Sequence, residues 1–280
     1  MVLSQYSEKE LNKIAVDYFQ SEKYDSALVY FDKLLAINPK DTMGYIDRAL
    51  TKEKLHDFTG AIADYTRLAK LAPNEVDAYF LRAKVLYELG FYDASMIDFQ
   101  HSLTLENDNA YGYYYIGKIV LKKGKEKEAK TYFKNAIFHN PEHAESFYEL
   151  AQFEYDHGSL DSALQLVDKS IRFFPKGDAY LLKCLIEYRL NNFDEAINWF
   201  EKVLDKSPVL LKELLDKSKL VKKNRKDVNQ FLELSTTSNY SKILLLTLQG
   251  RFDQANQLIQ SLNVEHEKIN KVLFLSCLIS

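Results

Sequence analysis

Cysteine is nearly absent. The 280 residues carry two, Cys184 and Cys277, with neither the close spacing of a metal site nor the density of a disulfide scaffold. Both read as small buried apolar residues in a reducing compartment. Glycine occurs nine times and proline five times. The glycines are scattered, which excludes a phosphate-cradling GxxxxGK or GxGxxG loop, and no GxSxG nucleophile elbow is present. Neither sign of charge dominates: 37 Lys and Arg against 40 Asp and Glu leave a net charge of −3, without the basic excess that marks a nucleic-acid binder. Long hydrophobic runs are missing too. The longest apolar stretch, residues 272–279, falls far short of the roughly 20 residues needed to cross a bilayer. Residues 1–10 lack the basic end and apolar core of a secretory signal. The expectation is a cytoplasmic protein with no membrane span. No Pro/Gly/Ser-rich linker divides the chain, which predicts one elongated domain.

What is present is order in the punctuation. Pro39 and Pro73 lie 34 residues apart, Pro73 and Pro141 lie 68 apart, Pro141 and Pro175 lie 34 apart, and Pro208 follows after 33. Every proline therefore occupies one phase of a single repeat. Gly90, Gly124 and Gly158 mark a second phase at the same spacing. Small residues hold a third, at Ala49, Ala83, Gly117 and Ala151, and a fourth, at Ala27, Ala61, Ser95, Ala129, Ala163 and, one residue early, Ala196. Aromatics hold a fifth, at Tyr45, Tyr79, Tyr113, Phe147 and Tyr180. Between the turn signals apolar residues recur at three- and four-residue spacing, as in Ile62, Tyr65, Leu68 and Ala69, which is the helical period. Each repeat is thus two helices. Small residues at their crossing let the helices approach closely. Glycine allows positive φ in the tight turn, and proline ends each hairpin because it cannot continue a helix interior.

A unit of this length with an aromatic, a small residue, a glycine turn, a second small residue, an aromatic and a closing proline resembles the tetratricopeptide repeat. The clearest copy runs Tyr113, Ile116, Gly117, Gly124, Ala129, Phe133, Ala136, Pro141. Arg48 and Arg82 stand where an aliphatic is commoner, and Asn107 where proline is expected. The resemblance implies an all-α, right-handed superhelical solenoid of antiparallel helix hairpins, with about six regular repeats over residues 8–210. An irregular helical segment at 211–235 and a degenerate repeat with a closing apolar helix at 236–280 would follow. The closing helix is expected to cap the solenoid, with a dimer contact or occupancy of the groove as other uses.

Catalytic chemistry is not legible. His139 and His143 are four apart, the spacing of two metal ligands on one helical face, but Pro141 between them breaks such a helix. They are expected to be surface histidines at a turn, with no metal and no cofactor. The plentiful acids read as solvated faces.

In the family, first helices line the concave side of the solenoid. The resemblance therefore places a peptide-binding stripe one, five and eight residues after each first-helix aromatic. That stripe is Ile46, Leu50 and Glu53, then Phe80, Lys84 and Tyr87, then Tyr114, Lys118 and Leu121. It continues with Tyr148, Gln152 and Tyr155, then Leu181, Leu185 and Tyr188, while Tyr111 and Tyr115 enlarge its aromatic area and Lys122 adds a cation. Glu145, Glu149 and Asp156 would form an acidic counter-patch. Family members that grip a chaperone C-terminal carboxylate place Lys, Asn and Arg where this chain has Asn12, Val16, Asp47, Asp77 and Leu81, which argues against that ligand. The function implied is a non-catalytic scaffold or adaptor for a protein or peptide partner. The alternatives are a peptide-responsive regulator or a non-catalytic subunit of an enzyme complex.

Overall fold

The structure, a computed structural model, describes residues 6–190 together with 192, 195, 196, 198, 199, 202 and 257. Its elements are α1 (Glu8–Gln20), α2 (Tyr24–Ile37), α3 (Thr42–Lys54), α4 (Phe58–Leu71), α5 (Val76–Glu88), α6 (Tyr92–Leu105), α7 (Ala110–Lys122), α8 (Glu126–His139), α9 (Ala144–Asp156), α10 (Leu160–Phe173) and α11 (Gly177–Arg189). Among the described residues there is no strand. Two compact units divide the chain, Met1–Pro141 with α1 to α8 and Glu142–Ser280 with α9 to α11. In the first unit α1/α2, α3/α4, α5/α6 and α7/α8 are hairpins, each packed on the next; in the second, α9 and α10 pair and α11 packs on α10. This is the all-α hairpin architecture that the 34-residue phases predict. Residue 191 onward, which includes the irregular segment expected at 211–235, the degenerate repeat and closing helix expected at 236–280, and Cys277, lies outside the described residues, apart from the few positions named.

The turn phase is obeyed by backbone even where glycine is absent. Gly90, Gly124 and Gly158 take φ of +82°, +75° and +78°, and His56 and Glu22, one and two repeats before Gly90, take +59°. A side chain in that left-handed region costs energy that glycine avoids. Replacing the exposed Glu22 with glycine should therefore raise stability, by about 0.5–1 kcal/mol, measurable by urea denaturation.

First helices start at a further recurring phase. Ser7, Asp41, Asn109 and His143 each accept a hydrogen bond from the backbone N–H three residues on, at 3.4, 3.0, 3.1 and 3.2 Å. Ser7 adds a full capping box, because Glu10 accepts the Ser7 N–H at 2.8 Å. His143 is therefore not a surface histidine. It is 1% exposed and substitutes for the Asp or Asn of other repeats as the cap of α9. The cap needs a neutral ring, because Nδ1 is the acceptor. Burial lowers the imidazole pKa below its ordinary 6.5, against an opposing pull from Glu145. The unfolded chain gains a proton as pH falls through about 6.5, while the folded chain resists it, so the cap's stability is complete above that pH and declines below it. Relative to a His143→Asn variant, the wild type should lose about 1 kcal/mol between pH 7.5 and 5.5 in paired urea melts.

The proline phase has its own contact. Tyr45, Tyr79 and Tyr113 donate their hydroxyls to the carbonyls of Pro39, Pro73 and Asn107, at 3.4, 3.1 and 3.1 Å. Asn107 thus keeps the junction's geometry without proline. These three tyrosines are hairpin-junction residues, and Tyr113 also stacks on His139 with centroids 5.0 Å apart.

The acids are not all on solvated faces. Asp64 and Asp98 are buried, and each is gripped by the arginine sixteen residues before it. Arg48 donates to Asp64 at 2.9 and 2.6 Å and to Asp32 of α2 at 2.8 Å, and Lys52 joins Asp64 at 2.8 Å. Arg82 donates to Asp98 at 2.7 and 2.8 Å and to Thr66 Oγ1 of α4 at 3.0 Å. Each arginine thus ties its own hairpin and reaches back to the preceding one. In the same phases other hairpins carry Ile14 with Tyr30 and Ile116 with Tyr132. The departures at Arg48 and Arg82 are one half of a paired exchange of apolar for ionic partners.

Helix crossings are sized by the small-residue phases. Ala49, Ala61, Ala83, Ala129, Ala151 and Ala163 are buried, as are Tyr65, Phe99 and Phe133 against them. Gly117 permits the closest approach, since a Cβ there would sit 2.7 Å from Phe133 Cε1. Cys184 is buried in α11, where burial pushes its thiol up to about 12.

Candidate binding face

In the first unit aromatic rings join the first helices α5 and α7, while α3 meets α5 through an apolar cluster that includes Tyr45, Ile46, Ala78 and Leu81. Tyr115 of α7 stacks on Phe99 of α6 at 5.0 Å between centroids and meets Tyr87 edge-on at 5.3 Å, Tyr114 at 5.4 Å and Phe80 at 6.5 Å. Phe80 also packs edge-on to Phe99 at 5.6 Å, and Tyr114 leans on Phe133 at 6.0 Å. Tyr115 is therefore the support on which the other rings rest. Phe80, Tyr87 and Tyr114 are half-buried, and Tyr111 at the start of α7 is 47% exposed. Edge-to-face packing of this kind fixes ring orientation beyond what area burial alone would do.

Polar groups frame the rings. Lys84 of α5 and Lys118 of α7 are half-buried one turn beyond Phe80 and Tyr114. Lys122 lies with its ammonium 5.4 Å from the Tyr92 ring. Glu53 of α3 accepts the hydroxyl of fully buried Tyr65 at 2.5 Å. Burial raises the Glu53 pKa, with the Tyr65 hydroxyl, Lys84 and Lys54 pulling the other way and Glu88 reinforcing the rise. Ile46 is buried and Leu50 half-buried, both in the core between α3 and α5.

The second unit treats its share of the stripe differently. Tyr148 is half-buried against the α9/α10/α11 core, and burial among Asp178, Glu149 and Asp156 pushes its hydroxyl up to about 12. Gln152 donates to Asp156 at 3.0 Å. Tyr155 and Tyr188 are only 8% and 7% exposed. Arg189 covers the Tyr155 ring at 4.1 Å and donates to the Tyr155 carbonyl at 3.2 Å. These two tyrosines are core side chains with little ring left to offer. The counter-patch divides as well: Glu149 is buried, while half-buried Glu145 pairs with Lys176 at 3.3 Å. Among the described residues no three His, Cys, Asp or Glu side chains converge as a metal site requires, and no helix is long and apolar enough to cross a membrane.

The sequence stripe includes Phe80, Tyr87 and Tyr114 but not the ring that supports them. Tyr115 lies one position beyond the stripe, and its role follows from its contact with the preceding hairpin.

Residues 46–110 and 114–178 match the tetratricopeptide-repeat profile, and residues 177–208 match a second profile of the same description. No protein with a curated description matches the chain. Among solved structures, PilF of Pseudomonas aeruginosa is 17% identical, with 76% of this chain and 97% of that one covered at a TM-score of 0.65. PilW, a type IV pilus biogenesis factor, is 20% identical over 72% and 94% of the two chains at 0.61. A chain of the APC/C hetero-tetramer Cut9–Hcn1 is 18% identical over 75% of this chain and 42% of that one at 0.64. At these identities the likeness is one of fold. The profile matches span more than half of the sequence and the hairpins fall in their register, and the chain belongs to the tetratricopeptide-repeat family.

Proposed function

We propose that this chain is a non-catalytic protein-interaction scaffold whose α3/α5/α7 face holds an extended or helical peptide segment of a partner. The supporting observation is the ring array on that face: Phe80, Tyr87 and Tyr114 are held in fixed orientation by Tyr115 yet remain partly open, with Tyr111 beside them. Preoriented aromatics supply contact area at low cost in side-chain entropy, which is what binding surfaces use. Lys84, Lys118 and Lys122 are the hydrogen-bond and charge donors around them. The face of the second unit contributes Tyr148 and Gln152 as a separate contact, with only the edges of Tyr155 and Tyr188.

Alanine at both Phe80 and Tyr114 should reduce partner recovery in affinity capture from the native cell at least about tenfold, as expected for aromatic anchors. Helix content by circular dichroism should stay at the wild-type level. Undiminished recovery of every partner by the folded double variant would sink the proposal. The single variant Tyr148→Ala tests the second unit in the same assay, with a smaller expected loss.

A further inference from the structure

The solvent side of the second helices departs from the repeat at α6. At the phase of Phe91 the other hairpins place Lys23, Asp57, Lys125 and Ser159, all exposed. Phe91 keeps that exposure, at 60%, yet gives α6 no side-chain cap, whereas Asp57 caps α4 by accepting the Gly60 N–H at 2.9 Å. Exposed Ala94 and Ile97 follow, and Ile97 is 66% exposed where the next two hairpins carry Thr131 and Gln165. The one exposed acid of α6, Asp93, is paired with Lys123 at 2.6 Å. Helix α6 is thus apolar on its solvent side as well as its core side, a pattern that belongs to helices covered all round. Cations flank it. In the stack of hairpins α4 precedes α6 and α8 follows it. Exposed Arg67 and Lys70 lie on α4, whose only acid, Asp64, is buried. Exposed Lys127 and Lys134 lie on α8, whose acids both sit in its first turn. None of these four cations enters an ion pair among the described residues. One turn beyond Lys134, Phe138 is 79% exposed.

We propose that this side of α4, α6 and α8 docks on an anionic lipid surface. Phe91, Ile97 and Phe138 enter the boundary between headgroups and acyl chains, and the four cations meet lipid phosphates. The exposures decide the occupant. Side chains 60%, 66% and 79% exposed stand out from the protein rather than line a groove. A rigid partner would have to supply a cavity for each of them, whereas an acyl layer closes around whatever enters it. Cations on both flanks of an apolar ridge complement a plane of phosphates. The surface belongs to second helices, apart from the rings of α5 and α7, and stands whether or not those rings hold a peptide.

Sedimentation of the whole protein with sucrose-loaded phosphatidylcholine vesicles, with and without phosphatidylglycerol, tests this. The protein should sediment with the anionic vesicles alone, and added salt should weaken the partitioning. Phe91→Ser/Ile97→Gln installs the residues that α10 carries at these phases, Ser159 as its cap and Gln165. That variant should partition at least about tenfold more weakly, with helix content by circular dichroism unchanged. Glutamine at Arg67, Lys70, Lys127 and Lys134 together should weaken it by at least as much. No binding to anionic vesicles, equal binding to neutral ones, or binding that ignores both variants overturns the proposal. So does binding of soluble polyglutamate through the four cations while vesicles stay unbound, which assigns the surface to an acidic protein instead.

Discussion

Asp98→Ala is expected to destabilise the first unit by about 3–5 kcal/mol, the range for removing one partner of a buried ion pair. The Asp98 side chain is 9% exposed and takes two hydrogen bonds from Arg82. Without it the guanidinium is left half-buried with only the Thr66 hydroxyl as acceptor at that end. The protein itself suggests the compensating change. One repeat later the same two phases hold Ile116 and Tyr132, and one repeat before Arg48 and Asp64 they hold Ile14 and Tyr30. The double variant Arg82→Ile/Asp98→Tyr should therefore recover most of the loss. Exchanging a buried ion pair for packed apolar groups is often neutral or stabilising. Urea denaturation of wild type, single and double variants forms a cycle whose coupling term reports the pair. If Asp98→Ala costs under about 1 kcal/mol, a surface-like value, the bridge is not acting as a buried one. Because repeat proteins unfold in nearest-neighbour units, hydrogen exchange of α5 and α6 amides should be read alongside the global melt.

Phe133→Ala should cost about 3–5 kcal/mol, the range for truncating a buried aromatic ring. The ring lies across Gly117 and supports Tyr114, 6.0 Å away. Gly117→Ala should cost about 1–3 kcal/mol by overpacking, because the new methyl would meet Phe133 at 2.7 Å and the ring must move. Here too a neighbouring repeat supplies the relief: at these phases the second unit pairs Ala151 with Val167. Gly117→Ala/Phe133→Val should accordingly be more stable than the sum of its single changes implies. Strict additivity in denaturation would show that ring and glycine do not share the crossing.

The repeat was legible because its markers are backbone markers. Proline and glycine act through φ and a missing N–H, effects that do not depend on what packs nearby. Two phases were less visible for the same reason in reverse. Glu22 and His56 adopt the glycine conformation without being glycine, and the cap phase uses Ser, Asp, Asn and His interchangeably because each offers an acceptor. The Arg–Asp exchange could have been read from the sequence, since arginine and aspartate sixteen apart recur at 48/64 and 82/98. Arginine alone, however, reads as a surface residue until its partner is known to face it.

The tyrosines show where sequence stops. Tyr113, Tyr114 and Tyr115 are consecutive, and composition cannot separate them. Folded, Tyr113 closes a hairpin junction on Asn107, Tyr115 stacks on the preceding hairpin and Tyr114 is left half-buried beside Phe133. Tyr155 and Tyr188 satisfy the same stripe rule as Tyr87 yet are buried, because α9 and α11 close on a shared core with Arg189 over the Tyr155 ring. By itself, the sequence determined the period, the hairpins, their turns and the family, all of which rest on local backbone preference repeated at fixed spacing. Tertiary structure alone decided which aromatic of each first helix is structural and which is left partly exposed, and which acids are buried. Those outcomes depend on the side chain across the helix interface, and residues far apart in the chain decide what stands there.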